Sequence, residues 1–182
     1  MACDLTLGRK EPCKDVVGGL KNLYLVDFGD IGTITYTNDE ITDLSGTFSA
    51  YKYELKGNSS FEQAITASRE NGTTFFDQTL NLTLKKLSKE DNKEIKLLAY
   101  GRPHVFVEDY NGNVMLMGAN HGADVNGGTI VTGGAMADLS GYTLTMNAQE
   151  TLPANFIGGA TAADPFAGLS SATSTIVVGT NS

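Results

Sequence analysis

Between Phe75 and Lys86 the chain alternates regularly enough to dictate its local geometry. Leu80, Leu82 and Leu84 fall on one side, and Thr79, Asn81, Thr83 and Lys85 on the other. A side-chain period of two belongs to a β-strand, because a helix would scatter the same residues around its axis. The segment reads as a long strand with one wet face and one dry face, as in a sheet packed on a core from one side only.

The rest of the chain repeats this theme in shorter pieces. Lys21 to Phe28 is an apolar run buried on both faces, closed by a turn at Gly29-Asp30. Thr33 to Thr37 and Ile41 to Leu44 form a hairpin around Asn38-Asp39-Glu40, exposed to solvent. Phe48 to Leu55 is a further strand ending at Gly57-Asn58. Phe61 to Arg69 alternates less cleanly and meets the long strand through Asn71-Gly72, a strong signal for an antiparallel turn. His104 to Asp109 and Val114 to Met117 flank a second such turn at Asn111-Gly112. Ala123 to Thr132 and Gly141 to Asn147 complete the set, the latter with Tyr142, Leu144 and Met146 on one face. One helix interrupts the series, from about Lys89 to Tyr100. Ser88 is its N-cap with Asp91 three residues on, Ile95, Leu98 and Ala99 form its apolar stripe, and Gly101 and Pro103 stop it.

Composition agrees with a β-rich chain. Among 182 residues there are 21 Gly and 20 Thr, and only 19% are charged. No apolar run approaches the roughly 18 residues of a membrane helix, and residues 1–10 lack the apolar core of a secretory signal. The organisation predicted is an N-terminal arm over 1–19, one β-rich domain over 20–158, and an Ala/Gly/Ser/Thr-rich tail over 159–182. That tail is expected to stay loose or to dock on a neighbour.

Residues that could carry chemistry are few and scattered. Cys3 and Cys13 have no nearby histidine or second pair, so buried thiols or a local disulfide fit them better than zinc. His104 and His121 lack a nucleophile and an orienting carboxylate in sequence and read as surface or edge-strand residues. Gly127-Gly128 and Gly133-Gly134 lack the lysine of a phosphate loop and read as bulges or turns. Asp109 to Asn113 has the flavour of a calcium loop without its downstream glutamate, so it is a hairpin turn. No enzyme, cofactor or metal site is implied. The net charge of −8 disfavours a protein that grips nucleic acid through its phosphates.

The order of these features resembles a known family. Phe76-Asp77-Gln78-Thr79-Leu80 opens the long strand. The helix follows, then Arg102-Pro103-His104-Val105, and a strand ending in Glu108-Asp109-Tyr110-Asn111-Gly112-Asn113. Next come Gly118, His121-Gly122, Thr132-Gly133, Asp138 to Thr145, Gln149-Glu150 and Pro153-Ala154. Together with the opening Ala2-Cys3-Asp4-Leu5, this is similar to the tail tube proteins of tailed bacteriophages over about residues 2–157. The resemblance implies a mainly β fold, an antiparallel β-sandwich or barrel with one flanking helix and extended arms. It also implies six copies closing edge to edge into a ring. The rings would stack into a tube that conducts DNA during ejection, in a virion tail assembled in the host cytoplasm. Implied partners are further copies, other tail proteins (tape measure, terminator, baseplate or sheath) and DNA that passes without specific binding.

On this reading Glu62, Asp77, Thr79, Asn81 and Thr83 are expected to face the lumen. Asp4 and Leu5 in the arm, and Thr35, Tyr36, Asp39 and Glu40 in the hairpin, are expected to contact the next ring. A net negative wall suits DNA transit, since like charge keeps phosphates from binding. Open strand edges, otherwise a hazard, become the means of assembly. Two alternatives remain. A head–tail connector, tail terminator or capsid decoration protein would form single rings or bind a capsid. A ligand-binding β-sandwich would be a monomer with a saturable site, although the chain has no Trp to offer a sugar.

Overall fold

A computed structural model of the chain describes residues 7–11 and 13–179. Its elements in order are β1 (Leu20–Val26), β2 (Ile34–Thr37), β3 (Glu40–Leu44), β4 (Gly46–Glu54), β5 (Ser60–Ser68), β6 (Thr73–Lys85), α1 (Lys89–Tyr100), β7 (His104–Asp109), β8 (Val114–Met117), β9 (Asp124–Val131), β10 (Gly141–Glu150) and β11 (Ala172–Val178). The fold is a β-sandwich with one helix. One sheet has the order β11-β4-β1-β7-β8, the other β5-β6-β10-β9, and β2 and β3 form a separate hairpin.

Two cores flank the five-stranded sheet, and side-chain parity sorts residues between them. Leu23, Leu25, Val105 and Val107 point toward Leu80, Leu82, Tyr142, Leu144 and Met146 of the four-stranded sheet. Tyr24, Val26 and Phe106 point the other way, into a core closed by Ile41, Leu44, Ile157, Phe166 and Leu169. Burial on both faces explains why β1 and β7 are continuous apolar runs. The four-stranded sheet has a single core face, so β6 and β10 alternate.

The helix and the turns follow from local chemistry. The Ser88 side chain accepts the Asp91 N–H, so the N-cap forms as the spacing requires. Gly72 adopts φ +63 between β5 and β6, a conformation in which a side chain is strained. The apolar stripe of α1 is narrower than expected. Ile95 is buried and Leu98 half-buried, but Ala99 is exposed, as are Leu97 and Tyr100. The helix lies beside the sandwich and touches it along one narrow line.

The C-terminal segment departs most from expectation. It is not loose: residues 159–178 complete the second core and extend the larger sheet of their own chain. Phe166 and Leu169 are buried among Tyr24, Phe48 and Phe106. β11 pairs in parallel with β4, from Ala172↔Gly46 to Val178↔Lys52. The Asp43 carboxylate anchors the start of β11, accepting from Ser171 N (3.0 Å), Ser171 Oγ (2.5 Å) and Ser170 Oγ (3.2 Å). The small residues have a packing reason, since a Cβ at Gly168 would collide with the Gly158 carbonyl. The domain therefore continues past 158 to Val178.

The hairpin is also more tied down than expected. Ile41 and Leu44 are fully buried. Ile41 N donates to the Phe156 carbonyl, Gly158 N donates to the Ile41 carbonyl, and Asn155 Nδ2 donates to the Asp39 carbonyl at 2.6 Å. The described part of the N-terminal arm, by contrast, has no strand or helix and is exposed. It is held at Val17, which exchanges two hydrogen bonds with the Asn111 side chain.

Candidate functional surface

The polar face of the four-stranded sheet brings the expected lumen residues together. β5 and β6 pair with Glu62 opposite Thr79 and Ala64 opposite Asp77. β6 and β10 pair with Asp77 opposite Gln149, Thr79 opposite Asn147, Asn81 opposite Thr145 and Thr83 opposite Thr143. Residues directly opposite in a ladder share a face, so Glu62, Asp77, Thr79, Asn81 and Thr83 all lie on the side away from the core. Glu62 and Asn81 are exposed, and Asp77, Thr79 and Thr83 half-buried by their neighbours.

Four contributors from the neighbouring strands were not anticipated. Thr143, Thr145 and Asn147 on β10, with Thr129 opposite Thr143 on β9, continue the surface. The signal for three of them was present: Tyr142, Leu144 and Met146 face the core, so the residues between them face away. Thr129 sits in a Gly-rich strand with no alternation to reveal its face.

The side chains of this face satisfy one another. Asn147 Nδ2 donates to Asp77 Oδ1 at 2.6 Å and lies 3.3 Å from Thr79 Oγ1. Thr145 Oγ1 donates to Asn81 Oδ1 at 3.0 Å, and Thr129 and Thr143 share a hydroxyl–hydroxyl bond of 2.6 Å. Thr83 Oγ1 donates to the Asn58 carbonyl at 3.0 Å. Part of the donor capacity of Asn147, Thr145, Thr83 and the Thr129–Thr143 pair is thereby used within the protein. Its formal charges are Glu62, Asp77 and Asp124 against Lys85. A mostly neutral, net negative carpet of hydroxyls and amides has little affinity for phosphate.

The hairpin residues expected to contact another ring are only partly available. Thr35, Asp39 and Glu40 are exposed, whereas Tyr36 is half-buried and lines an open cleft of about 310 Å³ with Phe28, Ile31, Ile34 and His104. Asp4 and Leu5 lie outside the described residues, as does Cys3; Cys13 is exposed.

The histidines have structural surroundings. His104 is buried at the start of an interior strand, not at a surface or an edge, because β7 lies between β1 and β8. It stacks on Phe28 with centroids 5.0 Å apart, and its Nδ1 lies 2.7 Å from the Gly118 carbonyl. Burial pushes its pKa down, opposed by the bond to Gly118. His121 is exposed, and Glu150 gathers its N–H, its ring and the Asn120 N–H at 2.8–3.0 Å. Asp109 turns inward on its own loop, accepting from the Asn111 and Asn113 backbone.

A second cleft, of about 460 Å³, lies beside Lys21, Asn22 and Tyr24. These three side chains all donate to the buried Glu108 carboxylate, at 2.8, 2.7 and 2.9 Å. Burial raises the Glu108 pKa, but these bonds outweigh it and hold the group below its usual range. Among the described residues no three His, Cys, Asp or Glu side chains are grouped to hold a metal ion, and no helix is long and apolar enough to cross a membrane. No family model, curated protein or solved structure matches the chain.

Proposed function

We propose that this chain is a structural virion protein, a phage tail tube subunit whose rings stack around a DNA-conducting channel. The observation that carries the reading is the continuous polar face of β5-β6-β10-β9, cross-linked by side-chain hydrogen bonds over β6, β10 and β9. A soluble sandwich has no need to spend its side-chain donors on one another across three strands. A wall that polyanionic DNA must slide past does, since each free cation or donor there adds friction. The motif order resembling tail tube proteins points the same way. β5 and β9 end the four-stranded sheet without a neighbour among the described residues, so pairing between copies would extend the lumen wall around a ring and remove both open edges. Six copies are what the resemblance suggests. Glu62, Asp77, Thr79, Asn81 and Thr83 then line the channel. The outward Thr35, Asp39 and Glu40, together with the arm, remain candidates for contact with adjacent rings or with other tail proteins.

Negative-stain electron microscopy of the purified chain over a concentration series tests this. Hollow tubes of stacked rings support the tube reading. Isolated rings that never stack support a connector or terminator. A monomer at every concentration contradicts both.

A further inference from the structure

We infer that the turn between β5 and β6 is a site of spontaneous covalent modification: Asn71 loses its side-chain amide to attack by the Gly72 nitrogen and becomes aspartate or isoaspartate. The inference is independent of the tube reading.

The chain carries three Asn-Gly pairs: Asn71-Gly72, Asn111-Gly112 and Asn126-Gly127. In each, the glycine has no side chain to shield its nitrogen from the preceding asparagine. All of these residues are exposed, so accessibility does not separate the pairs. What holds them in place does.

Asn111 is pinned on both side-chain atoms. Its Oδ1 accepts from Val17 N at 3.0 Å, and its Nδ2 donates to the Val17 carbonyl at 2.8 Å and to Asp109 Oδ2 at 3.3 Å. The Gly112 N–H is occupied as well, donating to the Asp109 carbonyl at 3.4 Å. Asn126 lies within β9, between Val125 opposite Met146 and Gly127 opposite Thr145. Asn71 instead sits in the turn between the paired Ser68 and Thr73. Its N–H donates to Ser68 Oγ at 3.2 Å. Among the described residues no hydrogen bond holds its side-chain amide or the Gly72 N–H.

The chemistry needs only water. The Gly72 nitrogen gives its proton to hydroxide and attacks Asn71 Cγ. The Cγ–Nδ2 bond breaks, and Nδ2 leaves as ammonia. Water then opens the cyclic imide at either carbonyl. Opening at Cγ gives aspartate; opening at the main-chain carbonyl gives isoaspartate, with the backbone rerouted through Cβ. No electrons are transferred: amide and water become carboxylate and ammonium. Ring closure requires the Asn71 ψ to swing the next nitrogen over its own side chain, outside the regular backbone regions. A sparsely bonded turn opens to such excursions far more readily than a ladder does. Either product adds a negative charge beside Glu70, and isoaspartate lengthens the turn between Ser68 and Thr73.

The test incubates the full wild-type chain in mildly alkaline buffer, once folded and once in guanidinium chloride. Peptide mapping by mass spectrometry follows asparagine, aspartate and isoaspartate at each pair. In the folded protein Asn71 should convert first. Asn111 should be at least about tenfold slower, because its side chain must leave its hydrogen bonds before it can react. In guanidinium chloride the two rates should converge. Asn71→Gln, whose longer side chain does not close the same ring, should remove the early acidic species from an ion-exchange profile. Conversion of Asn111 or Asn126 as fast as Asn71 in the folded protein overturns the assignment. So does an Asn71 that stays intact when folded but converts when unfolded, or an acidic species that persists in Asn71→Gln.

Discussion

Replacing Phe166 with alanine should destabilise the protein as a core mutation does, although its segment looks like a low-complexity tail. Phe166 is 3% exposed. Its ring meets Phe106 edge-on at 5.0 Å, Phe48 at 5.5 Å and Tyr24 at 5.6 Å. Truncating a buried Phe to Ala costs about 3–5 kcal/mol through lost transfer energy and the cavity left behind. That range is for the whole truncation and already contains the loss of the three edge-on aromatic contacts, which places this site near its middle, about 4 kcal/mol. Native stabilities run about 5–15 kcal/mol, so the variant should still fold. Urea unfolding followed by circular dichroism reads the effect. With a slope of roughly 2 kcal/mol per molar, the midpoint should fall by about 2 M with the slope unchanged. A shift under about 0.5 M would refute the claim that residues 159–178 belong to the fold.

Other expectations follow from particular groups. The Glu108 carboxylate is held below its usual pKa by Lys21, Asn22 and Tyr24, against the opposing effect of burial. A depressed carboxylate adds stability above its unfolded pKa that is lost as pH falls through its folded pKa, so stability should drop below about pH 4.5. Glu108→Gln should flatten that acid limb in unfolding curves from pH 7 to 3; an unchanged limb would contradict the role. Ser88→Ala removes the acceptor for Asp91 N–H and should cost about 1 kcal/mol, read as a smaller urea midpoint shift than that of Phe166→Ala. Asn81→Lys together with Thr79→Lys should turn the polar face into a phosphate-binding one. Filter binding at low salt should then retain duplex DNA, with retention falling steeply as salt rises. Retention by the wild type at the same salt would count against a non-adhesive face.

Where the sequence was legible, one physical signal dominated a short window. The alternation of Phe75 to Lys86 revealed β6 and its wet face because that strand has a single core side. Ser88 and Gly101 bracketed α1, since capping is decided within one turn. Asn71-Gly72 and Asn111-Gly112 marked their hairpins for the same reason. The features that escaped notice depend on partners far away in sequence. β11 exists because Ser171 and Ser170 reach Asp43, more than 120 residues away, and because β4 offers a free edge. Its own Ala-Thr-Ser-Thr start carries little signal. Phe166 and Leu169 are isolated apolar residues among Ala, Gly and Asp, and only the second core gives them meaning. His104 looked like an edge residue because strand order is not written in local sequence. The five expected lumen residues share a face because parity within β6, and register onto β5, follow from period two. The β9 and β10 half of that face needed the sheet order as well.

The most direct measurement of the central claim is a cryo-electron microscopy reconstruction of the assembled particle, at a resolution that separates strands. The expected result is a central channel walled by β5-β6-β10-β9, with Thr79, Asn81, Thr83 and Thr145 at its surface and successive copies joined from β5 to β9. A particle with that face turned outward, or buried between copies with no channel, would contradict the account.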